Sequence, residues 1–230
     1  MRINADLTVR AFSRGHLLPW VPSPMQGVSR RMLERDGDEV ARVTSIVRYE
    51  PESSFSPHTH SGGEEFLVLD GVFSDEHGDC PAGTYVRNPV GSKHTPFTKS
   101  GCSILVKLWW MFPEDQSQLR INTSDAALWK SFDGIETLHL HSFRSERTYM
   151  LRMSPGSTLK GTVPVGGREF FVVDGSVNDG NDTHEANGWC RIPASNEMSS
   201  SLTSESGAVL FMKAGSLTEL PPMPHIDHSE

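Results

Sequence analysis

His58-Thr59-His60 is the first place where this chain of 230 residues could do chemistry. In an extended strand, side chains two residues apart project from one face, so both imidazoles would point the same way. Neutral ring nitrogens are good ligands for divalent transition metals. Glu64 follows the tight pair Gly62-Gly63, and a reversal there returns a carboxylate beside the two imidazoles. Pro89-Val90-Gly91-Ser92-Lys93-His94 brings a third histidine after another turn. Three nitrogens and one oxygen complete a protein's share of a metal site. An octahedral ion would keep two positions for water or substrate, whereas a tetrahedral zinc would be closed or nearly so. The expectation is one divalent ion per chain on His58, His60, Glu64 and His94, and these ligand types suit zinc, iron, nickel and manganese alike.

The elements that must position these residues occur twice. Gly62-Gly63-Glu64-Glu65-Phe66-Leu67-Val68-Leu69-Asp70-Gly71 reappears as Gly166-Gly167-Arg168-Glu169-Phe170-Phe171-Val172-Val173-Asp174-Gly175, an offset of 104 residues. The same offset pairs Arg48 with Arg152, Pro51 with Pro155, Arg87 with Arg191 and Pro89 with Pro193. Self-similarity at a fixed spacing means two copies of one fold. Each copy is rich in β signals. Arg42–Tyr49 is a β-branched run, Phe66–Leu69 is a short apolar strand expected to close at the turn dipeptide Asp70-Gly71, and Ile104–Trp110 is another strand. Glu169–Val173 and Val209–Lys213 are the matching strands of the second copy. Short strands separated by Gly, Pro, Asp and Asn turns predict an all-β protein with one sandwich or barrel per copy. Helical period is nearly absent, and only Ser124–Phe132 is expected to form a short helix, capped by Ser124 or Asp125. The expected division is a first domain over 1–112 including an N-terminal arm, a junction over 113–134, and a second domain over 135–230.

The motif residues resemble the cupin family. Its two-part pattern, Gly-x5-His-x-His-x3-4-Glu-x6-Gly and Gly-x5-Pro-x-Gly-x2-His-x3-Asn, is met here by His58, His60, Glu64 and Gly71, and then by Gly83, Pro89, Gly91 and His94. Glu52 replaces the leading glycine and Thr98 the closing asparagine, and neither departure removes a ligand. The x6-Gly count favours Glu64 over Glu65, and Glu65, matched by Glu169 in the second copy, is expected to serve structure. The resemblance implies two tandem jelly-roll (double-stranded β-helix) barrels. The wording of residues 31–42, 63–71, 74–79 and 81–89 is similar to the ChrR-like cupin group, named for the cupin half of a zinc-dependent anti-sigma factor that answers singlet oxygen and peroxides. The likeness is good over about residues 20 to 112 and weaker over the second copy. Residues 1–38 carry no His-x3-Cys-x2-Cys signature of the type that holds a sigma factor. The resemblance therefore supports the fold and the metal site, with zinc the first expected ion, more than sigma-factor sequestration.

At the fixed offset the four ligand positions become Thr162, Pro164, Arg168 and Met198. No metal is expected there, and the second copy reads as a structural or interaction domain. His139-Leu140-His141 lacks a following glutamate and reads as a solvated strand face with both imidazoles on one side. His225 and His228 fall in a Pro-rich tail, and His77 lies in an acidic loop. Phe66, Val68, Tyr85 and Phe97 are expected to line the cavity, with Trp109-Trp110 packing at a strand end.

The net charge is −8, with no basic cluster, which argues against a nucleic-acid partner. No apolar run is long enough for a secretory leader or a membrane span, so the expectation is a cytoplasmic protein. Cys80, Cys102 and Cys190 are scattered and odd in number, and read as inert free thiols. A small organic ligand or an oxidant at the metal and a homodimer are the partners considered. Function is expected to be regulatory or stress-sensing, by the resemblance. The alternative is an Fe(II)-dependent dioxygenase acting on a small organic substrate, motivated by the ligand set and its open positions. No separate general base is evident, and a purely structural bicupin is the third reading.

Overall fold

The β-branched run Ala41–Tyr49 pairs antiparallel with Val28–Gly37 on one side and with Cys102–Leu108 on the other. Cys102–Leu108 then pairs with Glu64–Asp75, and that strand with Thr84–Asn88. The computed structural model describes residues 1–38, 40–193 and 201–223, and these form two such sheets. The second repeats the order with Ile135–Phe143, Glu146–Met153, Ala208–Ala214, Arg168–Asn178 and Gly188–Ile192. Each sheet curls with its short strands into a jelly-roll barrel, so the chain is two tandem cupin barrels.

Alternation along the strands divides the apolar residues between two kinds of core. Phe66, Val68, Val86, Ile104 and Val106 fill the first barrel, and Phe170, Val172, Cys190, Leu210 and Met212 fill the second. Their neighbours Leu67, Tyr85 and Leu105 face outward and pack against Phe171, Trp189 and Phe211 of the other copy in one shared cluster. The barrels also exchange strands. Leu119–Asn122, within the junction, pairs with Thr84–Arg87 of the first barrel, while Ala11–Arg14 of the N-terminal arm pairs with Gly188–Arg191 of the second.

Several expectations are corrected. The strand containing Phe66–Leu69 does not close at Asp70-Gly71 but runs on to Asp75, with a register shift opposite Ser103/Ile104. Gly71 sits at φ 72° there, where an added Cβ would come within 2.1 Å of the Gly101 carbonyl, so the glycine serves a bulge and not a turn. Ser124–Phe132 is not a helix. It is a single 3-10 turn, Ala126–Leu128, capped by Asp125, whose side chain accepts from the Ala127 N–H, followed by the strand Lys130–Phe132. Pairing of Lys130–Phe132 with Ile135–Thr137 outweighs the weak helical signal of so short a segment. His139 and His141 are not on one solvated face, because a bulge lies between them. His139 is exposed, and His141 is buried against Asp115, with Nε2 to Oδ2 at 2.8 Å. Tyr85 does not line the first cavity. The register sets Phe66 opposite Val86 and Leu67 opposite Tyr85, which turns Tyr85 outward, where its hydroxyl donates to Glu65.

Candidate metal centre

Two short strands bring the histidines together. Lys93–His94 pairs with His58–Thr59, and the register sets His94 directly opposite His58. The His60 N–H donates to Ser92 O, and the His60 carbonyl accepts from the N–H groups of Gly63 and Gly91. The turn at Gly62-Gly63 and the turn at Pro89–Ser92 are thus tied to one residue. Gly62 admits no side chain, since an added Cβ would lie 2.1 Å from the Trp109 ring. That close approach lets the chain reverse and start the strand at Glu64.

One ring nitrogen from each of His58, His60 and His94 lies within 4.8 Å of the other two. Glu64 Oε2 is 3.6 Å from His60 Nε2 and 3.8 Å from His94 Nε2. Metal–ligand bonds of about 2.1 Å at a tetrahedral angle would set adjacent donors about 3.4 Å apart, so the spacing suits donors around one ion. Among the described residues, Nε2 of His60 and of His94 are buried with no hydrogen-bond partner. Buried polar atoms are almost always satisfied, and two orphans facing a common point fit a cation held between them.

Neighbouring groups fix which nitrogen is presented. His58 Nδ1 donates to Ser56 O at 3.2 Å, and His94 Nδ1 donates to Asp75 Oδ2 at 3.3 Å, which leaves Nε2 of each ring with its lone pair free. Asn88 Nδ2 donates to Glu64 Oε2 at 3.1 Å and orients that carboxylate. Burial, with His58 alongside, pushes the His60 pKa down to about 4, and burial lowers that of His94 too. Both imidazoles are therefore neutral near pH 7, the form that binds metal. Burial raises the Glu64 pKa, and His94 and the Asn88 hydrogen bond act against that rise.

Asp75 and Arg120 were not singled out by the sequence. Asp75 is buried beneath His94, and Arg120 bonds the same Oδ2 from the exchanged strand Leu119–Asn122. Burial opposes the Asp75 charge. The hydrogen bonds from Arg120 and the His77 N–H, with the Arg120 charge, outweigh it and leave the pKa lowered.

Glu65 faces the other way, buried among Tyr85, Arg87 and Lys213, and is structural. Trp110 is buried with its Nε1–H on Val43 O, while Trp109 borders the recess beside the histidines. Cys80, Cys102 and Cys190 are free and buried, and His77 is exposed. Of the matching positions in the second barrel, Arg168 is buried with its guanidinium on Thr162 O at 3.2 Å, which puts a cation where Glu64 stands in the first. Met198, His225 and His228 lie outside the described residues.

The second barrel holds another close group that sequence reading did not find, Asp179, His184 and Cys190. Here Asp179 Oδ2 already accepts from Arg10 at 2.6 Å and contacts His184 Nε2 at 3.2 Å. A guanidinium on the shared oxygen opposes a divalent cation, and the group reads as an anchor for the N-terminal arm.

Among solved structures, the fold is similar to that of a putative dioxygenase from Nostoc punctiforme, with TM-score 0.73 and 13% identity over 95% of this chain and 88% of that one. It is also similar to the bacterial pirin YhhW of Escherichia coli, solved in complex with nickel(II), with TM-score 0.67 and 14% identity over 94% and 100% of the two chains. Protein YlbA of E. coli matches with TM-score 0.65 and 15% identity over 91% and 92%. At these identities the likeness is one of fold. No curated protein matches the sequence. The ChrR Cupin-like domain family matches twice, over residues 9–111 and 116–218, one match per barrel, and the chain belongs to that family.

Proposed function

We propose that the first barrel holds one divalent metal ion through Nε2 of His58, His60 and His94 and a carboxylate oxygen of Glu64, and that the second barrel holds none. The observation that carries this reading is the pair of buried Nε2 atoms of His60 and His94, unpartnered among the described residues, beside one Glu64 oxygen and grouped with His58. Such an ion would act as a Lewis acid with open positions for a small molecule. Asn88 and Asp75 would orient Glu64 and His94, and Phe66, Val68 and Phe73 would keep the inner wall dry. The function that follows is metal-dependent binding of a small organic molecule or oxidant, in a regulatory or stress-sensing role that the family relationship favours.

A second reading is an Fe(II)-dependent dioxygenase. It is favoured by a recess of about 250 Å³ that opens beside His58, His60 and Glu64 and leaves room for a substrate. The two separate on metal exchange. The protein is loaded with Zn(II) or Fe(II) in parallel, and oxygen consumption is followed with a set of small aromatic and diketone compounds. Ligand binding by the zinc form without oxygen uptake by the iron form supports the sensor. Iron-dependent uptake above the His94→Ala control supports the dioxygenase.

A further inference from the structure

The inner wall of the first barrel carries two arginines. Register fixes their place. Glu64 pairs with Leu108, Leu108 with Val43, and Val43 with Arg35, one continuous row across four strands. Two rows along, Val68, Ile104, Val47 and Arg30 form another. Since alternation turns Glu64 inward, both arginines face the same interior. The bulge between Met32 and Glu34 keeps Arg35 in phase, while Leu33 and Glu34 both turn to the second barrel.

Arg30 and Arg35 line a cavity of about 120 Å³. It shares Leu108 and Trp109 with the recess beside the histidines, so the two spaces adjoin. Arg35 is only 9% exposed, and its Nε donates to Gly37 O at 3.2 Å, while no acceptor among the described residues is bonded to its two terminal nitrogens. The Nε of Arg30 is buried without a partner among the described residues. Two cations on one apolar-walled space repel each other, an arrangement that favours an anion between them. Asp38, the acid whose charge acts on Arg35, is exposed and already bonded to the N-terminal ammonium.

The second barrel is an internal control. Val47 and Val43 correspond to Leu151 and Arg147, whose partners are Thr137 and Ser142. The barrel that lacks the histidines and the glutamate also lacks both arginines.

We propose that the first barrel binds a small organic acid, its carboxylate on the guanidinium groups of Arg30 and Arg35 and its other end toward the histidine–glutamate cluster. The second contact rests on the metal reading, and the arginine contact does not. Arginine forks match carboxylate oxygens in geometry, and a low-dielectric cavity strengthens the pairing.

The test is isothermal titration calorimetry on the full-length, metal-loaded protein with glutarate and benzoate, against the neutral glutaramide and benzamide. Arg30→Met, Arg35→Met and the double variant are compared, with metal content and melting temperature as controls. The expected result is that at least one acid binds, its amide binds at least about tenfold more weakly, and the double variant loses at least about tenfold in affinity at unchanged metal content. Should Arg35→Met fail to fold, Arg30→Met at the more exposed position must still weaken the acid by several-fold. Acid binding that survives in His94→Ala but is lost in the arginine variants supports the arginine site and removes the metal contact. Equal binding to wild type and to the arginine variants, or no binding of either acid to wild type, overturns the proposal.

Discussion

The ammonium of Lys213, on the second barrel, is bonded to the carboxylate of Glu65, on the first. Lys107 returns the contact, reaching both oxygens of Glu169 at 2.7 and 2.9 Å. Glu65 follows Glu64 in the chain, and strand alternation sends one into the candidate metal centre and the other to the opposite barrel. The strand that carries the candidate ligand Glu64 is thus pinned from outside by its partner domain. Burial works against the Glu65 charge, but Lys213 and Arg87 hold its pKa down to about 2.

Removing Lys213 takes one of two cations from the buried Glu65 carboxylate, which keeps Arg87 and Tyr85. Lys213→Met is expected to destabilise the protein by about 1–3 kcal/mol. Urea unfolding should show a lower midpoint, while the folded variant still binds metal at the wild-type stoichiometry. A variant as stable as wild type would show that the pair contributes little to the fold.

Asp75 holds His94 through Nδ1, and Arg120 clamps Asp75 from the exchanged strand. Outer carboxylates of this kind fix the tautomer and orientation of a ligating imidazole. Asp75→Asn is expected to weaken metal binding about 10–100-fold in chelator competition. Arg120→Met should act in the same direction and less. Unchanged affinity in both would leave Asp75 a purely structural residue.

The pH dependence of the metal-free protein has a defined sign. In the unfolded chain His60 titrates near its ordinary value of 6.5, and in the folded chain at about 4. Between those values the unfolded state binds more protons, so the His60 contribution is full above about pH 6.5 and is lost as pH falls toward 4. By linkage the loss is roughly 3 kcal/mol. The raised pKa of Glu64 acts in the opposite sense, so the quantity to measure is the difference between wild type and His60→Asn. Wild type should lose more stability than the variant between pH 7 and pH 4.5 in urea titrations. Parallel pH curves would contradict the assignment.

The three cysteines are expected to stay silent. Burial pushes Cys102 up to about 11 and raises Cys80 and Cys190 as well. A thiol reagent such as DTNB should label none of them in the folded protein at pH 8 and all of them in denaturant. Rapid labelling of any one under native conditions would reopen a redox role for that cysteine.

How far the sequence could be read follows from the distance over which each feature is encoded. The repeat and the His58-x-His60-x3-Glu64 spacing are local, and both led directly to the barrels and to the cluster of candidate ligands. The Glu64/Glu65 division follows from alternation together with the x6-Gly count and the match of Glu65 to Glu169. Where alternation breaks, reading failed. The bulge between His139 and His141 buries one imidazole and exposes the other, and no residue type there announces it. Tyr85 reads from the sequence as lining the cavity because strand pairing, which sets its parity against Glu64, cannot be read from one strand. Asp75 with Arg120, and Asp179 with Arg10, depend on strands exchanged between barrels. Their partners lie 45 and 169 residues apart, and only the fold brings them together.

The central claim is that one ion sits on His58, His60, Glu64 and His94. It is tested most directly by elemental analysis of protein purified without a polyhistidine tag or chelators, beside a His58→Ala/His94→Ala control of the same fold by circular dichroism. The account predicts about one equivalent of a divalent transition metal in wild type, lost from the control. No metal in either protein, or equal metal in both, would contradict it.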